Sequence, residues 1–291
     1  ARVLKYRTVL VKQKEQYQVV LDRTPFYAEG GGQVGDTGLL WFGEEKVPVL
    51  NTQKENDLII HYVKHLPPQI DLPVRAQVNR QRRHLPENNH SATHLLHAAL
   101  RQVLGTHVQQ KGSLVNDKYL RFDFSHFQKV TADQIAQIES LVNRKIRENI
   151  ALEEARSIPI AEAQAAGAMM LFGEKYGENV RMITFDPDYS RELCGGCHVP
   201  ATGKIGFLKI TSEGGVAAGV RRIEALTADR AEDYLQEELG ELQNIRGLFK
   251  NPKHTAKNID TLMEENKQLK KELEKQRADQ AGGLKDALVR K

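Results

Sequence analysis

Two short stretches concentrate the residue types that bind metals. NHSATHLLH places His90, His94 and His97 at intervals of four and three, and ELCGGCHVP brings Cys194, Cys197 and His198 within five positions. On an α-helix turning about 100° per residue, His90, His94, His97 and Arg101 share one face, roughly opposite Ala92, Leu95, Leu96, Ala99 and Leu100. They are therefore not histidines of the apolar core. The His-x3-His spacing puts two imidazoles one turn apart, the geometry of zinc-binding helices, although a solvated histidine face has the same spacing. HSATH carries no Glu after its first His, which removes the general base of a metalloprotease of the zincin type.

ELCGGCHVP has three readings: a CxxC redox pair, an ordinary turn, or half of a metal site. A redox pair opens a helix in a thioredoxin-like unit, whereas here Pro200 and TGKIGF continue in turn and strand. A four-ligand zinc site needs two further donors, and the histidine helix is the rich supply. Cys-x3-His with His-x3-His makes one sphere of three imidazoles and one thiolate, with Zn2+ as the expected ion.

These residues need elements to hold them. A helical period runs from Pro86, with Asn89 available as a cap, to Gly105. Before it, RTVLVKQKEQYQVVLD (residues 7–22) alternates as a strand, TPFYAEGGGQVGDTG reads as a glycine-rich loop, and LLWFG, VPVLNT and DLIIHYV read as further strands of a small barrel-like β subdomain. EGGGQVGD lacks the GK[ST] ending of a P-loop; it reads as a tight β connection approaching a ligand, or as a plain hairpin. After the histidine helix come strands at GSLV and YLRFDFS, a helix over residues 131–149, a short helix in AEAQAAGAMMLF, a strand VRMITF, and strands GFLKITSE and VRRIEAL. This is an α+β unit.

Beyond Ala228 the pattern changes to helical stripes, Leu235, Leu239, Leu242, Ile245 and Leu248, then Ile259, Leu262, Leu269 and Leu273, with Asn266 at a register-setting position. The tail carries as many acids as bases, which favours a coiled-coil hairpin, or pairing of two chains, over a nucleic-acid arm. The expected organisation is residues 1–75 as the β subdomain, 76–226 as the metal-containing unit and 227–291 as the helical segment.

The chain has 291 residues, a formal charge of +4, 27% charged residues and two cysteines. Two cysteines exclude a disulfide-stapled secreted scaffold, and no apolar run approaches a membrane span, so a cytoplasmic protein is expected. Arg80, Arg82 and Arg83, then Arg144, Lys145 and Arg147, then Arg221 and Arg222 are basic clusters that suit RNA or simply solvated faces. The opening Ala1 and the closing AGGLKDALVRK suggest a piece of something longer.

Four stretches together resemble the editing region of bacterial alanyl-tRNA synthetases: TPFYAEGGGQVGDTG, NHSATHLLHAALRQVLGTHVQQKGSLV, LFGEKYG, and ELCGGCHVPATGKIGF followed by GVRRIEAL. They lie in family order over roughly residues 20–226. Free-standing alanyl editing proteins and the threonyl-tRNA synthetase editing domain share part of the pattern, but the glycine-rich loop and the form of the second motif side with the alanyl family. The tail resembles the start of that family's C-terminal helical, dimer-forming segment.

The resemblance implies a zinc-dependent hydrolase that removes serine or glycine from mischarged tRNA(Ala). His90, His94, Cys194 and His198 match the metal positions. Thr93 matches a sensor of the serine hydroxyl, and Gln110, in QQKGS, a polar pocket residue tied to editing; His97 is a further candidate for proton relay or support of the ligands. Gly30, Gly31, Gly32 and Gln33, with Thr93, Arg221 and Arg222, are the expected substrate-side residues. Cys197 departs from the family, which has Thr there, and is expected to point away from the metal. The parent enzyme would ligate alanine to tRNA with ATP; no adenylation segment is recognisable in this chain. The alternatives are a free-standing trans-editing deacylase and a non-catalytic, zinc-stabilised module for tRNA binding and dimerisation.

Overall fold

The structure is a computed structural model that describes residues 1–11, 13–170, 176–249 and 252–289. The quoted stretch LFGEK lies outside the described residues. The chain divides into two compact units, Ala1–Glu232 and Asp233–Lys291.

The first unit opens on an antiparallel sheet of six strands, β1 (Val3–Val11), β2 (Lys14–Leu21), β3 (Gly38–Phe42), β4 (Glu45–Glu55), β5 (Leu58–Val63) and β6 (Val74–Val78), in the order β1-β2-β5-β4-β3-β6. Residues 7–22, expected as one strand, form a hairpin instead. The reversal has no Gly, Pro or Asn to announce it, and Gln13 takes φ 62° in their place. Asn56 and Asp57, both at positive φ, turn β4 into β5. The sheet is not a closed barrel: β1 and β6 are its edges, and among the described residues only Ala1 and Val74 exchange backbone hydrogen bonds, each at 2.8 Å, between their ends. Val19, Leu40, Phe42, Val47, Val49 and Val63 fill its buried face with Phe26.

The rest of the unit centres on α1 (Arg80–Leu104), which starts well before Pro86. Asn79 is the cap, its side chain accepting from the Arg82 amide, and Pro86 sits inside the helix. Asn89, expected as the cap, instead donates to the Asn116 carbonyl and accepts from Thr227 Oγ1. A buried helix stapled along its length tolerates the proline, which alone costs about 3 kcal/mol.

Ala92, Leu95, Leu96, Ala99 and Leu100 pack with α2 (Ala132–Arg147) onto a four-stranded antiparallel sheet, β12 (Leu208–Ala217), β13 (Val220–Thr227), β8 (Leu120–Ser125) and β7 (Gln110–Val115), in that order. Phe122, Phe124, Ile223 and Ala225 supply the sheet side of this core. Thr131 and Gln134 form a capping box that starts α2. A third sheet, β11 (Ser190–Leu193), β10 (Asn179–Phe185) and β9 (Glu153–Pro159), carries the short α3 (Ile160–Ala165).

In the C-terminal unit, α4 (Ala228–Gly247) runs across the division and α5 (Thr255–Val289) follows. The expected hairpin core is not formed among the described residues: Leu239, Leu248, Ile259, Leu262, Leu269 and Leu273 are all exposed. With barely two heptads in the second stripe, there is too little apolar surface to close on itself. No helix among the described residues is long and apolar enough to cross a membrane.

Candidate metal centre

Four side chains converge on one point. The ligating atoms of His90, His94, Cys194 and His198 all lie within 4.8 Å of one another. The α1 turn stacks the His90 and His94 rings with centroids 5.1 Å apart, and the His198 ring sits 4.5 and 4.9 Å from them. Cys194 Sγ is 3.4 Å from His90 Nε2 and 3.3 Å from His198 Nε2. Tetrahedral zinc with N and S ligands at about 2.0–2.3 Å spaces its ligands about 3.3–3.6 Å apart, so the donor set and the two Cys194 distances fit that ion.

Each imidazole has its other nitrogen held by a different partner. His90 Nδ1 lies 2.7 Å from Gln33 Oε1, His94 Nδ1 lies 2.6 Å from Glu192 Oε2, and His198 Nδ1 lies 3.3 Å from Ser91 Oγ. Fixing Nδ1 aims Nε2 at the shared point, the arrangement that metal-binding histidines use. His94 Nε2 is buried and has no hydrogen-bond partner in the protein, which suits a donor to a metal ion. His97 is buried too, with Nδ1 3.5 Å from the second oxygen of Glu192 and its ring against Phe122, and it stands outside the four converging donors. The histidine face of α1 is therefore neither solvated nor apolar; the ELCGGCHVP turn and the glycine-rich loop cover it.

Electrostatics follow from burial. Burial opposes the charged forms, yet the Glu192 carboxylate holds His94 well above an ordinary imidazole, and His94 and His97 hold Glu192 well below an ordinary carboxyl. Burial would raise the Cys194 thiol, but its electrostatic interactions with His90 and His94 and its hydrogen bonds with His198 and His90 lower it well below its usual value, which favours the thiolate that a metal needs. His198 is pushed down by burial first and by His90 next, which keeps it neutral and able to ligate.

The glycine-rich loop reaches the centre through backbone geometry. Gly31 and Gly32 take φ 56° and 81° in a two-residue reversal, closed by Gly30 and Gln33 exchanging hydrogen bonds of 3.1 and 2.9 Å. The loop then docks on β7, where Val115 donates to Gly32 at 2.7 Å and Val34 donates to Val115 at 3.0 Å. A Cβ on Gly32 would overlap Ser113, so the close approach requires glycine there. Arg83 of α1 grips the other side of the loop, donating to both Asp36 oxygens.

The second strap is the turn after β11. Arg181 donates to the carbonyls of Cys194 and Gly196 at 2.8 and 2.7 Å, and the Cys197 amide donates to Gln33 Oε1 at 2.9 Å. The Cys197 thiol is outside the converging set, and burial raises its pKa, so it stays protonated.

The remaining expected residues are placed as follows. Thr93 is buried beside His94 and donates its hydroxyl to the Asn89 carbonyl at 2.8 Å. Gln110 donates to Ser113 Oγ at 3.3 Å, next to the glycine-rich loop. Arg221 and Arg222 are spent on carboxylates, pairing with Glu213 and, in a two-pronged contact at 2.7 and 2.8 Å, with Asp123. Arg82, Arg83, Arg144 and Lys145 are likewise paired with carboxylates. Glu192, Ser91 and Arg181 were not singled out from sequence. Glu192 stands in the same motif as the ligands, but nothing local marks a Glu as the partner of a histidine 98 positions away.

Known proteins resolve the resemblance. The family model for the threonyl and alanyl tRNA synthetase second additional domain matches residues 180–224, and that for class II (A) tRNA synthetases matches residues 3–82. Among curated proteins, the alanine–tRNA ligase of Cytophaga hutchinsonii is 60% identical over 99% of this chain. Those of Parabacteroides distasonis and Bacteroides thetaiotaomicron are 50% and 52% identical over the whole of it. In each case the chain spans 33% of the relative's own length. Two family models, and relatives of one name matched along the full chain, show that this protein belongs to the alanyl-tRNA synthetase family, as a stretch about one third the length of those relatives that includes the second additional domain.

Proposed function

We propose that this chain hydrolyses the ester linking serine or glycine to tRNA(Ala), with zinc held by His90, His94, Cys194 and His198. The observation that carries the reading is the convergence of those four donors within 4.8 Å, His90 and His94 buried, Cys194 and His198 half-buried, and each histidine supported from behind. Bound there, zinc would polarise the ester carbonyl or orient the aminoacyl group for an attacking water.

A synthetic pocket shaped for alanine cannot strongly reject glycine or serine, so a second site that clears both is required. Thr93 has committed its proton to Asn89, which leaves its hydroxyl oxygen as an acceptor for a serine hydroxyl. Alanine would leave that acceptor unpaired, a difference worth about 1–3 kcal/mol. Glu192 fixes His94 and lies beside His97, whose Nε2 is buried without a partner in the protein, which supports a proton-carrying role for it. The test is hydrolysis of seryl- and glycyl-tRNA(Ala) by the protein and by Cys194→Ala, with chelated and zinc-restored controls; undiminished activity in the variant overturns the reading.

A second reading rests on one observation. Four protein donors fill a tetrahedral zinc, as in structural sites, which suits a non-catalytic module that binds tRNA. A folded, zinc-loaded protein without deacylation would select it. The exposed leucines of α5 suit pairing with a second copy of the chain, which sedimentation equilibrium measures directly.

A further inference from the structure

The glycine-rich loop and the metal centre meet at one side chain, Gln33, which is 1% exposed. Its carboxamide oxygen accepts from two groups belonging to the two halves of the site: His90 Nδ1 on α1 at 2.7 Å and the Cys197 amide at 2.9 Å, in the turn that carries Cys194 and His198. Its Nε2 is buried and has no acceptor in the protein. Gln33 owes its place to backbone, because the Gly31–Gly32 reversal and the bridge to Val115 deliver it from a loop 57 residues away from His90.

We propose that Gln33 is a positioning residue with two separable parts: its oxygen locks the His90 ring and the Cys197 amide into the ligating geometry, and its free NH2 donates to an oxygen of the bound aminoacyl ester. The oxygen's role follows from hydrogen-bond direction. A His90 that donates from Nδ1 presents an unprotonated Nε2 to the metal, so the acceptor on Nδ1 selects the ligating tautomer. The same oxygen takes the Cys197 amide, so the two motifs are brought into register by one atom. The NH2 role follows from satisfaction: buried amide donors are almost always paired, and this one faces no protein acceptor. Substrates of an ester-cleaving site are rich in acceptor oxygens. This second part rests on the deacylase reading; the first does not.

The two parts separate by substitution. Gln33→Met keeps the volume and removes both polar atoms. It is expected to weaken zinc affinity roughly 10- to 100-fold and to alter the visible spectrum of the cobalt-substituted protein. Gln33→Asn, a methylene shorter, withdraws the oxygen from His90 and should do the same, which guards against misfolding of the methionine variant. Gln33→Glu keeps an acceptor for both partners and loses the donor. It is expected to hold zinc at least as tightly as wild type, with the wild-type cobalt spectrum, while kcat for seryl-tRNA(Ala) falls on the order of tenfold. Wild-type zinc affinity and cobalt spectrum in both Gln33→Met and Gln33→Asn overturn the positioning role. Undiminished deacylation by Gln33→Glu overturns the donor role. If the wild-type protein itself deacylates neither substrate, the functional reading fails and the donor role with it, while the zinc and cobalt measurements still decide the positioning role.

Discussion

The Glu192 carboxylate lies 2.6 Å from Nδ1 of His94 and turns its other oxygen toward Nδ1 of His97 at 3.5 Å. A single acid from the motif that supplies Cys194 and His198 thus orients the helix that supplies the other two converging donors. Glu192→Ala is expected to lower zinc affinity roughly 10- to 100-fold. It should also destabilise the metal-free protein by about 3 kcal/mol, because a buried histidine charge loses its partner. Chelator competition and urea unfolding measure the two; Glu192→Gln, which keeps an acceptor oxygen, should retain more of the zinc affinity.

Gly196 is glycine for a steric reason. A Cβ there would run into the His90 ring and approach Gln33 Oε1 at 2.9 Å, and the ring cannot retreat without leaving its ligating position. Gly196→Ala should cost about 1–3 kcal/mol by overpacking and lower zinc content. Gly195→Ala, where a Cβ meets nothing within 4 Å, should leave both unchanged. Thermal melts and metal analysis of the two variants side by side check the contrast.

The two cysteines part company. Cys194 Sγ is one of the four converging donors and Cys197 Sγ is not. Cys197 contributes its backbone amide to Gln33, a role any residue but proline fills. Cys197→Thr should therefore keep one zinc per chain and full activity, whereas Cys194→Ala should lose both; a drop in zinc on Cys197→Thr would contradict the geometry.

Far from the metal, His61 is fully buried, with Nδ1 3.0 Å from the Val19 carbonyl and Nε2 2.7 Å from Thr24 Oγ1. Burial lowers its pKa below the ordinary imidazole value. Below about pH 6.5 the unfolded chain takes up the proton that folded His61 resists, so stability is full above that pH and falls as the solution is acidified toward the folded pKa. His61→Gln should lack this contribution. The difference in unfolding free energy between wild type and variant, followed from pH 7.5 to pH 5, should shrink steadily; a constant difference would rule it out.

Much of the site was legible in the chain, for local reasons. The α1 stripe from Ala92 to Leu100 repeats every three or four residues because one face must meet the sheet, and that period already puts His90 and His94 on the other face. The pairing of Cys-x3-His with His-x3-His follows from ligand number alone. What escaped was set at a distance. The hairpin in residues 7–22 turns on a Gln at positive φ rather than on a Gly or Asn, and β9 is a polar edge strand with little apolar alternation to declare it. The start of α1 lies at the Asn79 cap, ahead of the apolar period, and a buried environment absorbs Pro86 inside the helix. The leucine stripes of α4 and α5 announce helices, but periodicity does not say what an exposed stripe meets.

The sequence by itself determined which atoms could ligate, because side-chain chemistry and helical spacing are local properties. Only the tertiary structure decided which of them converge and which nitrogen of each histidine faces the shared point. Gln33, Glu192 and Ser91 hold Nδ1 of His90, His94 and His198 through hydrogen bonds spanning 57, 98 and 107 positions. Arg221 and Arg222, open to RNA on the evidence of sequence, were claimed by Glu213 and Asp123 across neighbouring strands. Contacts of that range arise when burial strips water from a polar group and obliges it to find a partner, and the partner is set by the fold rather than by neighbours in the chain.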